Sequence, residues 1–447
     1  MRILVFSHYY SPEGNAPAAR ISAMCSRWAS LGHRVEVITC APNVPSGVVY
    51  PGYANRLVQS ETLEGVRVTR VWTHLAANKG SMGRILNFLS YMFAAVFFAW
   101  FRRRPDLVVA TSPQFFCGWA GLVFARLRLR RLPFVLEIRD LWPDSIVAVG
   151  ALKNRRLLGF LYRMERWLYA GADHIVTVGE GYWEDLVNKG VPRHKLSIIP
   201  NGVDRAIFWP RSATGFFEQF GIKNRFTCAY VGTIGMAAGL KIVVRAAERL
   251  RDLGRRDIAF VLVGDGAERE MLETMARQRG LDNLVFTGRL PRETMPDVLA
   301  ATDACLVHLR KAELFERVTP SKMFEMAAME RPIILGVRGH AARLLRAARA
   351  GVCIEPENAD ELVDAVCALA ADPDRCREYG RSGRNYVVGN YDRGVLAEEY
   401  ARILDRISHA PQPYPAEEVL LPMPGTAAQP VSATLQQPRQ DGLEKAA

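Results

Sequence analysis

Apolar, β-branched runs of four to eight residues recur along the chain, separated by longer stretches of helical periodicity, and this alternation leaves few folds open. ILVFS (3–7), VEVIT (35–39), LVVAT (107–111), FVLEI (134–138) and HIVTV (174–178) come first. After IIPNGVDRAIFWP (198–210) the pattern restarts with CAYVG (228–232), AFVLVG (259–264), LVFTG (284–288), ACLVHL (304–309) and PIILG (332–336). Strands that alternate with helices build βαβ units, because parallel neighbours need a crossover long enough to hold a helix. One restart predicts an α/β chain of two Rossmann-like, doubly wound domains, residues 1–205 and 206–375. Residues 376–409 read as helices that pack back towards the first domain, and the Pro-, Gln- and Ala-rich stretch 410–447 as a disordered tail.

The 447 residues carry a formal charge of +12, and the excess is confined to the first half: residues 1–205 hold 26 Lys/Arg against 14 Asp/Glu, with 32 of each beyond. A basic face of this kind meets nucleic acid or anionic lipid, and no RNP, zinc-finger or recognition-helix pattern favours nucleic acid. The eight cysteines show no CxxC pair and no short spacing to His, so they read as buried thiols of a reducing compartment. The start MRILVFSHYY runs straight into a strand pattern, without the long apolar core of an export signal.

Ile85 to Phe101, ILNFLSYMFAAVFFAWF, lacks charge and is flanked by Arg84 and by Arg102, Arg103 and Arg104. As a helix it would be roughly 25 Å long, against roughly 30 Å for a hydrocarbon core. Three readings stay open for the helix at about 84–104: one partly sunk in a membrane surface, an ordinary core helix, and a true span. The arginines at its end and RLRLRR (126–131) favour the first. Against a span, LVVAT follows almost at once and belongs in the sheet of ILVFS, and one sheet cannot lie on both sides of a bilayer.

The stretch TPSKMFEMAAMERPII (319–334) carries the most chemistry. Thr319 reads as an N-cap with Pro320 at N1, which puts Ser321 and Lys322 in the first turn of a helix. Backbone amides, the helix dipole and a lysine charge suit a phosphate or diphosphate there. Glu325, three residues on, shares the face of Lys322 and is placed to accept from sugar hydroxyls. The plain alternative is a surface Lys–Glu pair.

With YVGTIG, LVGDGAERE and LVFTGRLPRE ahead of it, this stretch resembles the donor-binding half of the family 4 retaining glycosyltransferases. The amino half agrees: HYYSPEGNAPAARISAMCSRWASLGHRVEVIT is similar to that family's first Gly-rich loop and helix. EIRDLWPDSI resembles a subgroup that builds bacterial O-antigen, capsule and colanic-type exopolysaccharides. The resemblance spans about residues 1–408 and implies the GT-B fold, two Rossmann-like domains facing a central cleft.

It also implies roles. Glu325 matches the second glutamate of the family's E-x7-E motif, which binds the nucleotide ribose; at the first stands Arg317, with Glu316 beside it. The family's Arg and Lys after the first donor-domain strand correspond to about Thr233 and Ala238, so Lys322 carries more of the diphosphate charge. Gly14, Gly232, Thr233, Arg289 and Ser321 complete the expected donor site, and Glu13, Asn15 and Arg20 face the acceptor. Arg139 and Asp140, where many relatives have His-Asp, join Glu13 as catalytic candidates.

Each has a plainer reading: a tight turn for Gly14, a cap or ion-pair partner for Asp140, an exposed loop acid for Glu13. Gly264-Asp265-Gly266 lacks a third glycine, and Asp372-Pro373-Asp374, although of D-x-D form, sits where a helix cap belongs. No carboxylate or His cluster has metal-ligand spacing, so neither metal nor cofactor is expected.

The resulting expectation is a metal-independent, retaining transferase of hexosyl or N-acetylhexosaminyl type. It would take a nucleoside diphosphate sugar, with UDP as the nucleotide, and a polyprenyl-diphosphate-linked saccharide acceptor. It would be cytoplasmic and peripheral on the anionic inner face of the membrane, with no nucleic acid partner. A nucleotide-sugar 2-epimerase of the same fold and a non-catalytic nucleotide-sugar-binding protein are the rivals.

Overall fold

The computed structural model describes residues 1–409 except 45, 77–81, 129, 149, 151, 153 and 214, so the expected tail lies outside the described residues. The first sheet comprises β1 (Arg2–Phe6), β2 (Arg34–Cys40), β3 (Val58–Leu63), β4 (Val66–Val71), β5 (Leu107–Thr111), β6 (Phe134–Ile138), β7 (His174–Thr177) and β8 (Leu196–Ile198). Its order is β3-β4-β2-β1-β5-β6-β7-β8, parallel except for β3. The second comprises β9 (Phe226–Val231), β10 (Ile258–Val263), β11 (Leu284–Gly288), β12 (Ala304–His308), β13 (Ile333–Gly336) and β14 (Gly351–Cys353), in the order β11-β10-β9-β12-β13-β14. All ten runs picked out by the sequence pattern are strands. The hairpin β3–β4 and the short β8 and β14 fall outside it. VQSETL in β3 sets four polar residues between Val58 and Leu63, so its alternating exposure as an edge strand leaves no apolar run to read, and the three residues of β8 or β14 are too few to show a period.

Side chains alternate across the first sheet, Leu4 and Phe6 entering one layer and Ile3 and Val5 the other. Helices Met82–Trp100, Phe115–Leu127 and Arg155–Gly171 belong to the first layer, and Ala16–Ser30 and Arg393–His409 to the second. The C-terminal expectation needs correction. Only Arg393–His409 returns to the first domain, where Trp28 Nε1 donates to the Ala397 carbonyl at 2.9 Å and stacks edge-on against Tyr400. Helix Pro373–Asn390 stays on the second domain because its glycines allow backbone contact there: a Cβ on Gly380 would lie 2.2 Å from the Glu330 carbonyl oxygen. Asp372 caps that helix, accepting from Arg375 N at 3.0 Å.

Helix Met82–Trp100 is long and apolar enough to cross a membrane by length and composition. Its Asn87, Tyr91, Ala95 and Ala99 stripe is buried, whereas Phe93 and Phe97 are 66% and 58% exposed and Phe101, just beyond it, 70%. Its flanking strands β4 and β5 lie in one sheet, which leaves the segment no way to carry the chain across a bilayer.

Candidate active site

In each sheet the strand order reverses beside the first strand, at β1/β5 and at β9/β12, and such switch points open a crevice at the carboxyl ends of the strands. The Gly14 loop follows β1, Gly232 follows β9, and the Thr319–Glu325 stretch follows β12. The crevices face each other: a Cβ on Gly14 would lie 3.8 Å from Arg292 and 4.0 Å from an Arg289 nitrogen, and Arg289 Nη2 donates to Tyr50 Oη of the first domain at 3.0 Å.

On the donor side, Gly232 and Gly264 both have positive φ, 145° and 141°, and their loops touch so closely that a Cβ on Gly264 would lie 1.9 Å from the Gly232 carbonyl oxygen. The backbone after β9 also lies beside the helix that starts at Lys322. Lys322 Nζ lies 3.5 Å from the Tyr230 ring centroid and 3.5 Å from where a Gly232 Cβ would stand. No carboxylate pairs with it among the described residues, and burial pulls its pKa down to about 7. Glu325, three residues along the same helix, is half-buried; burial raises its pKa, and the nearby Arg393 and Arg292 oppose the shift.

The helix itself, Lys322–Ala328, starts later than expected. Ser321, not Thr319, occupies the cap position, with helical backbone and a side chain that makes no capping bond. Met323 N donates to the Pro320 carbonyl and Phe324 N to that of Ser321, a tight turn at the head of the helix. Thr233 is exposed at the mouth, its carbonyl accepting from Tyr230 Oη at 2.9 Å.

The first-domain candidates are engaged differently, and three expectations change. Glu13 is 2% exposed; its carboxylate accepts from Asn43 N at 2.9 Å, Val44 N at 3.2 Å and Asn15 Nδ2 at 3.2 Å, which makes it a clamp on the loop after β2 rather than an exposed acid. Asn15 caps helix Ala16–Ser30 through Ala18 N at 2.9 Å. Arg20 is buried, bonded to Glu137 at 3.0 Å and to the Pro200 and Ile199 carbonyls at 2.6 and 2.7 Å, so its guanidinium is spent inside the domain rather than on an acceptor. Burial alone would raise the Glu137 pKa, but Arg20 and Arg139 hold it below the usual carboxylate range.

Arg139 and Asp140 follow β6, and of the two Arg139 keeps unused donors. Arg139 Nη2 reaches the Ala16 carbonyl at 3.3 Å, yet Nε and Nη1 are buried without a partner among the described residues. Asp140 accepts from Ser145 Oγ at 3.0 Å, and burial raises its pKa. Arg317, at the position of the family's first glutamate, pairs with Asp185 of the first domain, and Glu316 lies 3.9 Å from Arg338.

Residues 15–202 match the family model described as a glycosyl transferase 4-like domain, and residues 214–386 the one described as glycosyl transferases group 1. Together the two matches cover most of the chain and divide it where the sheets divide. The chain belongs to the family 4 GT-B glycosyltransferases. A putative colanic acid biosynthesis glycosyl transferase, WcaI of Escherichia coli K12, is 28% identical over 379 residues, covering 82% of this chain and 91% of that protein. Among solved structures, a sucrose-phosphate synthase from Thermosynechococcus elongatus superposes with a TM-score of 0.71 at 17% identity over 91% of this chain and 98% of its own. HepE of Anabaena, solved with UDP and glucose, does so with a TM-score of 0.67 at 16% identity over 90% and 99%.

For a glycosyltransferase of this fold, two arginines that sequence reasoning passed over now matter. Arg292 sits between Gly14 and Glu325, and Arg393, at the start of the returning helix, neighbours Glu325, Arg20 and Arg292. Arg292 stands in the quoted LPRE segment, one step from recognition. Arg393 carries no local signal, because only the return of its helix brings it to the cleft.

Proposed function

We propose that the protein transfers a hexosyl or N-acetylhexosaminyl unit from a nucleoside diphosphate sugar, a UDP-sugar, to a polyprenyl-diphosphate-linked saccharide at the cytoplasmic face of the membrane. The transfer retains configuration and serves the assembly of a surface polysaccharide. Lys322 carries the reading: a half-buried ammonium with no acidic partner among the described residues, poised over the glycine backbone after β9, is a charge that lacks its counter-ion. The diphosphate of a donor supplies that counter-ion and becomes more negative as the sugar leaves, so the lysine binds the transition state more tightly than the ground state. Glu325 is the acceptor for ribose hydroxyls, and the acceptor hydroxyl enters between Gly14 and Asp140. The UDP-bound neighbour and the colanic-acid relative support the choice of nucleotide and of polysaccharide.

Charge on the leaving group is met by side chains, Lys322 foremost. The lipid end of the acceptor and the anionic membrane surface fit the exposed Phe93, Phe97 and Phe101 beside Arg102, Arg103 and Arg104. Labelled UDP-, GDP- and dTDP-sugars, supplied with and without lipid-linked saccharide, test the reading. Label reaching lipid only when both are present is the expected result. Conversion of the sugar nucleotide alone points to the epimerase, and binding without turnover to the non-catalytic protein.

A further inference from the structure

The segment Glu313–Val318, between β12 and helix Lys322–Ala328, belongs to the donor domain by sequence but packs on the other one. Leu314 and Val318 lie against the apolar cluster of the first domain that contains Leu141, Leu168, Tyr182 and Leu186. At Gly181 the two backbones meet: a Cβ there would lie 2.3 Å from the Arg317 carbonyl oxygen and 2.6 Å from its Cα, so only glycine allows the approach.

Charge reinforces the contact. Lys189 Nζ is shared by Asp144 at 2.6 Å, Glu165 at 2.8 Å and Asp185 at 3.1 Å, which leaves three carboxylates around one ammonium inside the first domain. Arg317 reaches across the domain boundary to Asp185 and supplies a second cation. Its other nitrogen accompanies Glu313 at 3.0 Å. Asp185, 5% exposed, would otherwise be a buried carboxylate in an acidic excess. The same first-domain helix, Glu180–Asn188, also takes His340 through Glu180 at 3.1 Å and Glu184 at 3.2 Å.

Both ends of this junction adjoin the reaction. Arg317 stands five residues before Lys322 and eight before Glu325, and Asp144, which shares Lys189 with Asp185, stands four after Asp140. We infer that Arg317 is a positioning residue: by pairing with Asp185 it fixes the donor-binding turn against the acceptor-side wall and so sets the spacing of the closed cleft. The inference rests on the proposed transfer between these two walls. Where the family carries an acid, this chain has a tether.

The test is a set of variants assayed for transfer and, separately, for UDP affinity by titration calorimetry. Arg317→Ala should lower kcat by roughly tenfold to a hundredfold, as misplacing reactants by about 1 Å does, while UDP affinity stays within about twofold. Arg317→Lys should recover part of the loss, and the double variant Arg317→Asp with Asp185→Arg more than either single change predicts. Small-angle scattering with UDP present should show Arg317→Ala more open than the unaltered enzyme. Unchanged kcat in Arg317→Ala, or strictly additive effects in the double variant, overturns the inference. If the unaltered protein transfers no sugar at all, the functional reading fails, and scattering still decides the tether: equal dimensions with and without Arg317 refute it.

Discussion

The two walls of the cleft use charge in opposite ways. On the first-domain wall, Glu13, Asn15 and Arg20 are bonded to their own domain, each with its polar atoms satisfied by backbone or by a buried counter-charge. On the donor wall, Lys322 sits over the face of Tyr230 with no carboxylate partner among the described residues, and Glu325 has Arg393 and Arg292 nearby without a hydrogen bond to either among them. A buried charge that the protein completes by itself contributes to one fold. A buried charge left incomplete costs stability, and that cost persists in a native structure when a ligand offsets it. The contrast separates framework from site more sharply than residue type does, since both walls are rich in the same side chains. Among the first-domain candidates, Arg139, with two buried nitrogens that lack a partner among the described residues, falls on the site side of the divide.

The largest effect expected from this contrast is in turnover. Lys322→Ala should lower kcat by on the order of 10² or more, because a preorganised charge facing the leaving group is lost. Melting temperature should stay level or rise, since an unpaired buried charge goes with it. Wild-type turnover in this variant breaks the comparison at its centre.

Arg20→Ala tests the opposite wall and should act on stability. Removing the guanidinium strands Glu137 in the interior, at a cost of about 3 kcal/mol or more, visible in denaturant melts. Acceptor KM should not change in the protein that remains folded; a selective rise in acceptor KM would return Arg20 to the site.

Glu325→Gln should raise donor KM by about tenfold, the loss of a charge-assisted hydrogen bond to ribose, with little change in kcat.

The smallest signal is in pH. With the Lys322 pKa near 7 in the free enzyme and raised by a bound diphosphate, the bound state holds more protons above that pH. UDP affinity should therefore weaken as pH rises from about 7 to about 9, and Lys322→Arg should flatten the slope. Calorimetry across that window measures it, and a flat profile in the unaltered enzyme removes Lys322 from the diphosphate.

How much of this was readable beforehand follows from the range of each cause. Local patterns were legible: ten strands came from short apolar, β-branched runs, and Asp372 was recognisable as a cap because it acts on a residue three positions away. The stretch Thr319–Glu325 announced its chemistry in seven consecutive residues, although its cap lay two residues from the expected one, since Pro320 heads a tight turn instead of the helix. The helix at Ile85–Phe101 showed its apolarity but not which half of it faces the core.

The sequence by itself determined two parallel sheets, their junction and a lysine–glutamate pair on one helical turn, because those features depend on spacings within a few residues. Only the tertiary structure decided which charges are spoken for. Arg20 finds Glu137 across 117 positions, Arg317 finds Asp185 across 132, and Arg393 reaches the cleft on a helix that crosses back between domains. A side chain reads the same in sequence whether it is paired or free; the distance to its nearest opposite charge exists only once the chain has folded.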